Sequence, residues 1–416
     1  MSTSSSSRTT APPQRRHRAR RWLPALVLAG LALPLASCQS TASSDGAAAP
    51  ASSAASPSAV PATIAVTPTD ATADVRLDAP VTVSVKDGTL QDVTVSGPDG
   101  APLEGALDPA GTTWTSSGAL APATRYAVHA VATGAAGQVT RDSALTTLTP
   151  VATAFPAVAP LSGSTVGVGM PVIVTLDEPV ADSARAAVEQ NLHVTTQPAP
   201  VEGAWNWISP SKLEYRPADY WPAHTTVHVD LDLGDVEVSP GVWGKTRDID
   251  FTVGSAMVST VDIAAHTLTV TRDGAVLRTI PVTLGQTGNG GKYITRSGTK
   301  VIMSLEATRQ MDAETTGVSP DDPNYYNVAT KYAMRLTNSG EFLHAAPWSV
   351  SSQGRANVSH GCTGMSTADA KWMFDNSKVG DVVSYVGSDR TIEPGNGFNV
   401  WNETFPEWKA GSALGA

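Results

Sequence analysis

Short runs of alternating apolar and polar residues, separated by turn signals, limit what this chain can fold into more than any other feature. Between residues 62 and 150 they include the runs 81–85 and 126–131, and turns such as the Lys-Asp-Gly at 86–88 lie between them. Because successive side chains of a strand point to opposite faces of a sheet, a period of two predicts half-buried β-strands. Short strands at this spacing predict an antiparallel sandwich of immunoglobulin type over residues 62–150.

Residues 151–254 repeat this pattern, with further apolar or alternating runs at 171–176 and 226–231. We therefore expect a second immunoglobulin-like sandwich there, of ordinary domain size. Its stretch 205–221 is rich in aromatic residues: Trp205, Trp207, Tyr215, Tyr220 and Trp221. A platform for stacking sugars and simple packing in a core or interface are the two interpretations, and we favour packing.

A third β-rich block begins near Ser255. The runs 267–271 and 276–280 flank an Asp-Gly pair, which predicts a hairpin. Ser366 followed by Asp369 is a variant of the capping box and predicts one short helix from Thr367 to Asn376, before a return to strand at 381–386. The sequence thus predicts a mainly β protein, with a third domain at 255–387 and an extension, 388–416, that packs on it.

The N-terminal 38 residues have the pattern of an export signal. Five arginines between positions 15 and 21 precede the apolar run 22–35, whose 14 residues are too few for a comfortable membrane span but typical of a signal-peptide core. Ala36 and Ser37 before Cys38 resemble a bacterial lipobox, in which the cysteine is lipidated and becomes the first residue. We predict a lipoprotein signal peptide at 1–38 and a flexible Ala/Ser/Pro linker at 39–61. Ordinary cleavage near Ala36 and an uncleaved anchor are the alternatives, and the export route stays open.

The charge of the processed chain argues against nucleic acid as a partner. The sequence has 28 Lys and Arg against 38 Asp and Glu, and six of the arginines fall within residues 1–38. Without that segment the net charge is −16, which offers no basic surface for a polyanion. We expect the lipid at Cys38 to hold the protein at the outer face of the cytoplasmic membrane and cell wall.

Cys362 is the second of only two cysteines, so no internal disulfide is expected and one thiol stays free. A thiol becomes a good nucleophile only when a base removes its proton. His344 and His360 are the candidate bases, and His344, at the predicted end of a strand, is better placed than a residue two positions away. Gly361 would let backbone amides approach a substrate carbonyl, as an oxyanion hole requires.

Zinc is an alternative explanation for the same three side chains. Two histidines and one cysteine can ligate Zn²⁺ and leave one position open. No fourth ligand or general-base carboxylate is obvious nearby in the sequence, and we therefore predict no metal and no cofactor.

The motif Ser359-His360-Gly361-Cys362, with Met365 after it and His344 upstream before Ala346-Pro347-Trp348, resembles the L,D-transpeptidase (YkuD) family. The resemblance runs from about 255 to 413 and includes the segment 295–303. Two sandwich domains and a lipobox before such a domain resemble the architecture of that family in high-GC Gram-positive bacteria.

The resemblance implies a role for each matched residue. Cys362 would be the nucleophile and His344 its base, while His360 would shape the pocket and the amides of His360, Gly361 and Cys362 would form the oxyanion hole. The implied substrate-binding positions are Tyr326, Met303, Trp348, Ser359, Thr363 and Gly364. For Met303 and Trp348, simple core packing is the alternative.

Two positions depart from the family pattern. Relatives have Ser where this chain has Ala345, but the family uses the backbone carbonyl there to orient the imidazole, so alanine should be tolerated. Relatives usually have Asn or Arg where this chain has Gly364, which removes a polar side chain from the site.

The function implied by the resemblance is two-step acyl transfer on peptidoglycan. The cysteine would attack a tetrapeptide stem, release D-alanine, and pass the acyl group to the diaminopimelate amine of another stem as a 3→3 cross-link. Carbapenem β-lactams would be inhibitors. An L,D-carboxypeptidase or other thiol hydrolase, and a non-catalytic wall-binding lipoprotein, are the alternatives.

Overall fold

The computed structural model describes residues 59–415, which form three successive β domains. The predicted signal peptide, Cys38 and most of the predicted linker lie outside the described residues. The mainly β class predicted from the sequence is confirmed, since 28 strands and only three α-helices are found in the described part. No helix among residues 59–415 has the length and apolar character needed to cross a bilayer.

The first domain is a sandwich of two four-stranded sheets, ordered β1-β3-β6-β5 and β2-β8-β7-β4. Along β7, alternate side chains from Tyr126 to Ala132 are buried in the core between the sheets, as the period of two predicts. The strands are β1 Thr63–Thr67, β2 Thr72–Val75, β3 Thr82–Lys86, β4 Gly88–Ser96, β5 Gly105–Leu107, β6 Thr113–Ser116, β7 Arg125–Gly134 and β8 Gly137–Thr147.

The second domain has two four-stranded sheets, β10-β12-β15-β14 and β11-β19-β16-β13, and a small third sheet, β17-β18-β9. Its elements are β9 Ala152–Ala154, β10 Pro156–Ala159, β11 Thr165–Val166, β12 Val172–Leu176, α1 Arg185–Gln190, β13 Leu192–Gln197, β14 Gly203–Ser209, β15 Lys212–Pro217, β16 Thr226–Leu231, β17 Glu237–Ser239, β18 Val242–Gly244 and β19 Arg247–Val253. Trp205, Tyr215 and Trp221 are buried in its core, and Tyr220 packs on Trp401 at 4.7 Å between ring centroids. Packing is therefore the correct interpretation of these rings.

The third domain combines a five-stranded sheet, β22-β21-β20-β28-β23, with a four-stranded sheet, β24-β25-β26-β27. Its elements are β20 Met257–Asp262, β21 Thr267–Arg272, β22 Ala275–Pro281, β23 Gly298–Val301, β24 Ser304–Asp312, β25 Asn327–Arg335, β26 Phe342–Ala345, β27 Thr363–Met365, α2 Thr367–Asn376, β28 Val382–Val386 and α3 Phe405–Lys409. The predicted hairpin is β21–β22, and α2 has the predicted bounds. The Ser366 hydroxyl accepts from the Asp369 amide at 3.1 Å and caps that helix.

The second and third domains dock through backbone contacts. The amide of Gly167 donates to the carbonyl of Val379, and that of Gly169 to the carbonyl of Gly380, both at 2.8 Å. A Cβ atom on Gly167 would lie 2.2 Å from the amide nitrogen of Asp381, so only glycine permits this approach.

Residues 388–415 of the C-terminal segment pack more widely than predicted. They contact the third domain, where Asn402 Nδ2 donates to the carbonyl of Thr299 at 2.7 Å. They also contact the second domain, where Trp408 Nε1 donates to the carbonyl of Ala204 at 2.9 Å. Three of its rings, those of Trp401, Phe405 and Trp408, surround the guanidinium of the buried Arg216. The segment thus ties the third domain to the second.

Candidate active site

The parallel strands β26 and β27 bring the candidate base and nucleophile to the same side of their sheet. His344, in β26, pairs directly with Gly364 of β27. Paired residues of neighbouring parallel strands share a face, so His344 and Gly364 lie on the same one. Cys362 lies in the bend that precedes β27, and it lines the same cavity as His344 and Gly364.

A cavity of about 410 Å³ opens over this face. Its lining is mostly apolar or aromatic, but it includes both histidines and the thiol. The lining residues are Thr283, Met311, Tyr326, Val328, Thr330, His344, Ala346, Trp348, Ser349, Val358, Ser359, His360, Cys362 and Gly364. An apolar cleft with a few convergent polar groups is the usual form of a small-ligand site.

The imidazole of His344 is held in one tautomer. Its Nδ1 lies 2.9 Å from the carbonyl oxygen of Ala345. Because a carbonyl only accepts, Nδ1 carries the proton and Nε2 keeps its lone pair. Burial lowers the pKa of His344, so the ring is neutral at neutral pH and able to accept a proton. Alanine at position 345 thus supplies the backbone carbonyl that orients the imidazole, as predicted.

The Cys362 thiol is neutral in the resting site. Burial raises its pKa to about 12, although a hydrogen bond from the Phe342 amide opposes this. Its sulfur lies 3.6 Å from the carbonyl oxygen of Gly340. A neutral thiol beside a neutral imidazole needs proton transfer during attack, which makes the base essential to any chemistry here.

The segment before the cysteine is braced by Ser359. Its hydroxyl donates to the carbonyl of Cys362 at 2.6 Å and accepts from the amide of Gly361 at 3.1 Å. Gly361 has φ +123°, a conformation that favours glycine. Its amide, predicted to serve an oxyanion hole, is thus engaged by Ser359 in this conformation.

His360 stands between two tyrosine rings. Its ring centroid lies 4.6 Å from that of Tyr293 and 4.8 Å from that of Tyr326. Burial lowers the pKa of His360 and raises that of Tyr326 to about 12, so both are neutral at pH 7. Trp348, 58% exposed, forms the outer wall with its ring 6.1 Å from that of His344.

Two predicted pocket residues lie elsewhere. Met303 does not line the cavity; its sulfur lies beside Gly397, and the methionine in the cavity wall is Met311. Thr363 is buried on the opposite face of β27, where its hydroxyl lies 2.7 Å from that of Tyr385. It faces away because neighbouring residues of a strand point to opposite sides.

Part of the cavity wall was not predicted from the sequence. Val328 and Thr330 follow Tyr326 at alternate positions and therefore share its face. That period of two was a usable signal once Tyr326 had been assigned. Met311 joins them because β24 pairs with β25 in a register that places it opposite Val328. Val358 completes the wall from the loop before the cysteine.

The described part of the chain contains no set of side chains that could bind zinc. Within residues 59–415, no three His, Cys, Asp or Glu side chains are grouped so that they could hold a metal ion.

Comparison with known proteins gives the family. Residues 256–384 match the L,D-transpeptidase catalytic domain, YkuD, and residues 72–237 match a bacterial Ig domain. The chain is 36% identical over 350 residues to L,D-transpeptidase 2 of Mycobacterium tuberculosis, and the match covers 83% of each protein. The chain belongs to the L,D-transpeptidase family.

Two further L,D-transpeptidases show how far the likeness extends. L,D-transpeptidase 5 of Mycobacterium tuberculosis is 32% identical over 83% of this chain and 76% of its own length. A structure of the L,D-transpeptidase LdtMt1 in complex with imipenem is 39% identical, covers 56% of this chain and 99% of that chain, and has a TM-score of 0.48.

Proposed function

We propose that this L,D-transpeptidase joins peptidoglycan stems by 3→3 cross-links through a thioester on Cys362. The observation that carries the proposal is the cavity lined by both His344, in β26, and Cys362, in the bend just before β27. The bond from Nδ1 to the Ala345 carbonyl supports His344 as the base, because it leaves Nε2 free to accept the thiol proton.

The first half-reaction acylates the cysteine. As Cys362 Sγ attacks the carbonyl carbon of stem residue three, the thiol proton moves to His344 Nε2. The C–S bond forms, the amide C–N bond to the terminal D-alanine breaks, and the imidazolium returns its proton to the departing amine. Dividing the transfer into two steps is what a nucleophilic thiol provides.

The second half-reaction is the reverse attack by an amine. The side-chain amine of diaminopimelate on another stem gives its proton to His344 and bonds to the acyl carbon, and the thiolate leaves and is reprotonated. The apolar wall of Met311, Val328 and Trp348 favours a stem over bulk water near the thioester.

Hydrolysis is the competing outcome, since water attacking the same thioester would make the protein an L,D-carboxypeptidase. Gly364 brings no polar side chain to the cavity, so we expect more tripeptide by-product than in relatives that have Asn or Arg there. The intact pair of Cys362 and His344 argues against a purely wall-binding protein.

A carbapenem is the proposed inhibitor class. Its strained β-lactam carbonyl would be attacked by the thiol as the stem carbonyl is, and the ring would open to a stable acyl-enzyme. The related LdtMt1, whose structure holds imipenem, supports this proposal.

We further propose that the protein is exported and anchored by lipid at Cys38. The basic segment, the apolar run 22–35 and the residues Ala36-Ser37-Cys38 support this proposal. Cys38→Ser should move the protein from the membrane fraction to the medium or to an unprocessed precursor. A wild-type N-terminus that is unmodified and lies elsewhere would contradict the anchor.

A defined tetrapeptide substrate tests the reaction. We expect D-alanine release and 3→3 dimers as the main product when the acceptor amine is free, with some tripeptide. The control is the Cys362→Ala variant, which lacks the nucleophile and should release no D-alanine and form neither dimer nor tripeptide. Tripeptide alone, with no dimer at high acceptor concentration, would show a carboxypeptidase instead.

A further inference from the structure

A buried ion pair lies beneath the strands that carry the candidate catalytic residues. Lys300, in β23, has no exposed surface, and its Nζ lies 2.6 Å from Oε2 of Glu341. The ammonium also stands 3.7 Å from the ring centroid of Tyr385. Charges are buried in proteins only when they are paired and hydrogen-bonded, and the acyl transfer described above makes no use of this pair.

The pair contacts the chain on both sides of the thiol. Glu341 directly precedes β26, and the residue before it, Gly340, places its carbonyl 3.6 Å from the sulfur of Cys362. On the other strand, Thr363 follows the cysteine, and its hydroxyl lies 2.7 Å from that of Tyr385. Lys300 therefore lies between the two strands. It is bonded to Glu341, next to β26, and it packs on the ring of Tyr385, whose hydroxyl contacts Thr363 of β27.

A second cation completes the arrangement around the carboxylate. Oε1 of Glu341 accepts from Nη1 of Arg296 at 3.0 Å, and the Arg296 amide also donates to it at 3.3 Å. Both oxygens of Glu341 are thus bonded to cations. Such a fully satisfied network is rigid, and loss of one member leaves its partner uncompensated in a region of low dielectric.

We propose that Lys300 and Glu341 are positioning residues of the acyl transfer: their pair fixes the backbone on both sides of the Cys362 sulfur and sets the electrostatic potential there. The proposal rests on the proposed function, because it assigns the pair a part in activating that thiol. Burial is the main reason that the pKa of Cys362 is raised; Glu341 adds to this effect, whereas Lys300 and Arg335 oppose it.

The two partners therefore predict unequal effects on the thiol. Without Lys300 the carboxylate of Glu341 is less compensated and disfavours the thiolate. Without Glu341 the burial that lowers the pKa of Lys300 is less opposed, so Lys300 loses its proton and the pair leaves no net charge beside the thiol. A role in stability alone would weaken both variants in the same way and would not separate them.

The test measures the rate at which iodoacetamide alkylates Cys362 as a function of pH, with the modified peptide followed by mass spectrometry. At a fixed neutral pH, Lys300→Met should slow alkylation about tenfold, equivalent to about one pKa unit, whereas Glu341→Gln should stay within about twofold of wild type. Lys331→Met, which removes an exposed lysine from β25, is the matched control and should leave the profile unchanged.

Equal slowing in both variants, or unchanged profiles in both, overturns the proposal. If an unpaired buried charge prevents folding, the double variant Lys300→Met/Glu341→Gln carries the test. It should keep the alkylation profile close to wild type but react with imipenem at least about tenfold more slowly, because the tie between the strands is lost; wild-type acylation would overturn the proposal. Alkylation needs no peptidoglycan, so a failure of the cross-linking proposal would be seen separately.

Discussion

At the scale of the residue, two side chains and one missing side chain define the site. The His344 imidazole is fixed by the Ala345 carbonyl, and the Cys362 thiol is neutral until a base acts on it. We expect His344→Ala to lower the acylation rate by about 10²- to 10⁴-fold, the usual contribution of a positioned base. His360→Ala is the comparison variant in single-turnover acylation. If it is the more damaging of the two, His360 is the base.

The site has little room for a side chain at Gly364. A Cβ atom there would lie 2.9 Å from Cβ of Ala346 and 3.1 Å from Cγ2 of Thr283, so this cavity is closed to the asparagine of relatives. We expect Gly364→Asn to lower the free energy of unfolding by about 1–3 kcal/mol, as overpacking does. Adding Ala346→Gly should recover part of the loss in urea denaturation. Wild-type stability of the single variant would contradict this account of the packing.

At the scale of the element, a serine in the loop before β27 and a serine at the cap of α2 have different roles. Ser359 braces the backbone of the reacting cysteine, whereas Ser366 caps a helix away from the cavity. Ser359→Ala should slow acylation about tenfold or more by loosening the thiol. Ser366→Ala should instead cost about 1 kcal/mol of stability and leave acylation unchanged. Equal effects of the two variants on acylation would contradict the distinction.

Single elements were predictable from the sequence, whereas the way they pack together was not. Local signals were sufficient for the β21–β22 hairpin and for α2, because turn residues, a cap and a period of two act over a few residues. His344 lies one residue before the end of its strand, β26, close to the predicted position. The cavity wall was not predictable in this way. Met311 lines the cavity because of the pairing of β24 with β25, and a shift of one residue would turn its side chain to the other face. Met303 lies just before β24, with its sulfur beside Gly397. Lys300 and Glu341 are 41 positions apart and carry no local sign that they meet.

At the scale of the whole molecule, the second sandwich and the catalytic domain meet at a buried carboxyl group. Asp381 has no exposed surface; one oxygen accepts from the Lys378 amide at 2.8 Å, and no hydrogen bond is found for Oδ1. Burial raises its pKa from 3.8 to about 7. The folded protein therefore holds this proton more tightly than the unfolded chain does.

The free energy of unfolding depends on pH because the folded and unfolded states bind this proton with different affinity. A raised folded-state pKa stabilises the fold below pH 4, and this stability is lost as the pH rises to about 7. Asp381→Asn should remove that component, which amounts to at most about 4 kcal/mol at 1.36 kcal/mol per unit. Urea denaturation of both proteins between these pH values measures it. Parallel pH profiles for the two proteins would contradict the buried, protonated carboxyl group.

The most direct test of the central claim is the mass of the intact protein after reaction with a carbapenem. We predict one covalent adduct on the wild-type chain, located by peptide mapping at Cys362. Cys362→Ala should form no adduct, and His344→Ala should form it far more slowly than wild type. An adduct that persists in Cys362→Ala, or a folded wild-type protein that forms none, would contradict the assignment of Cys362 as the acylated nucleophile.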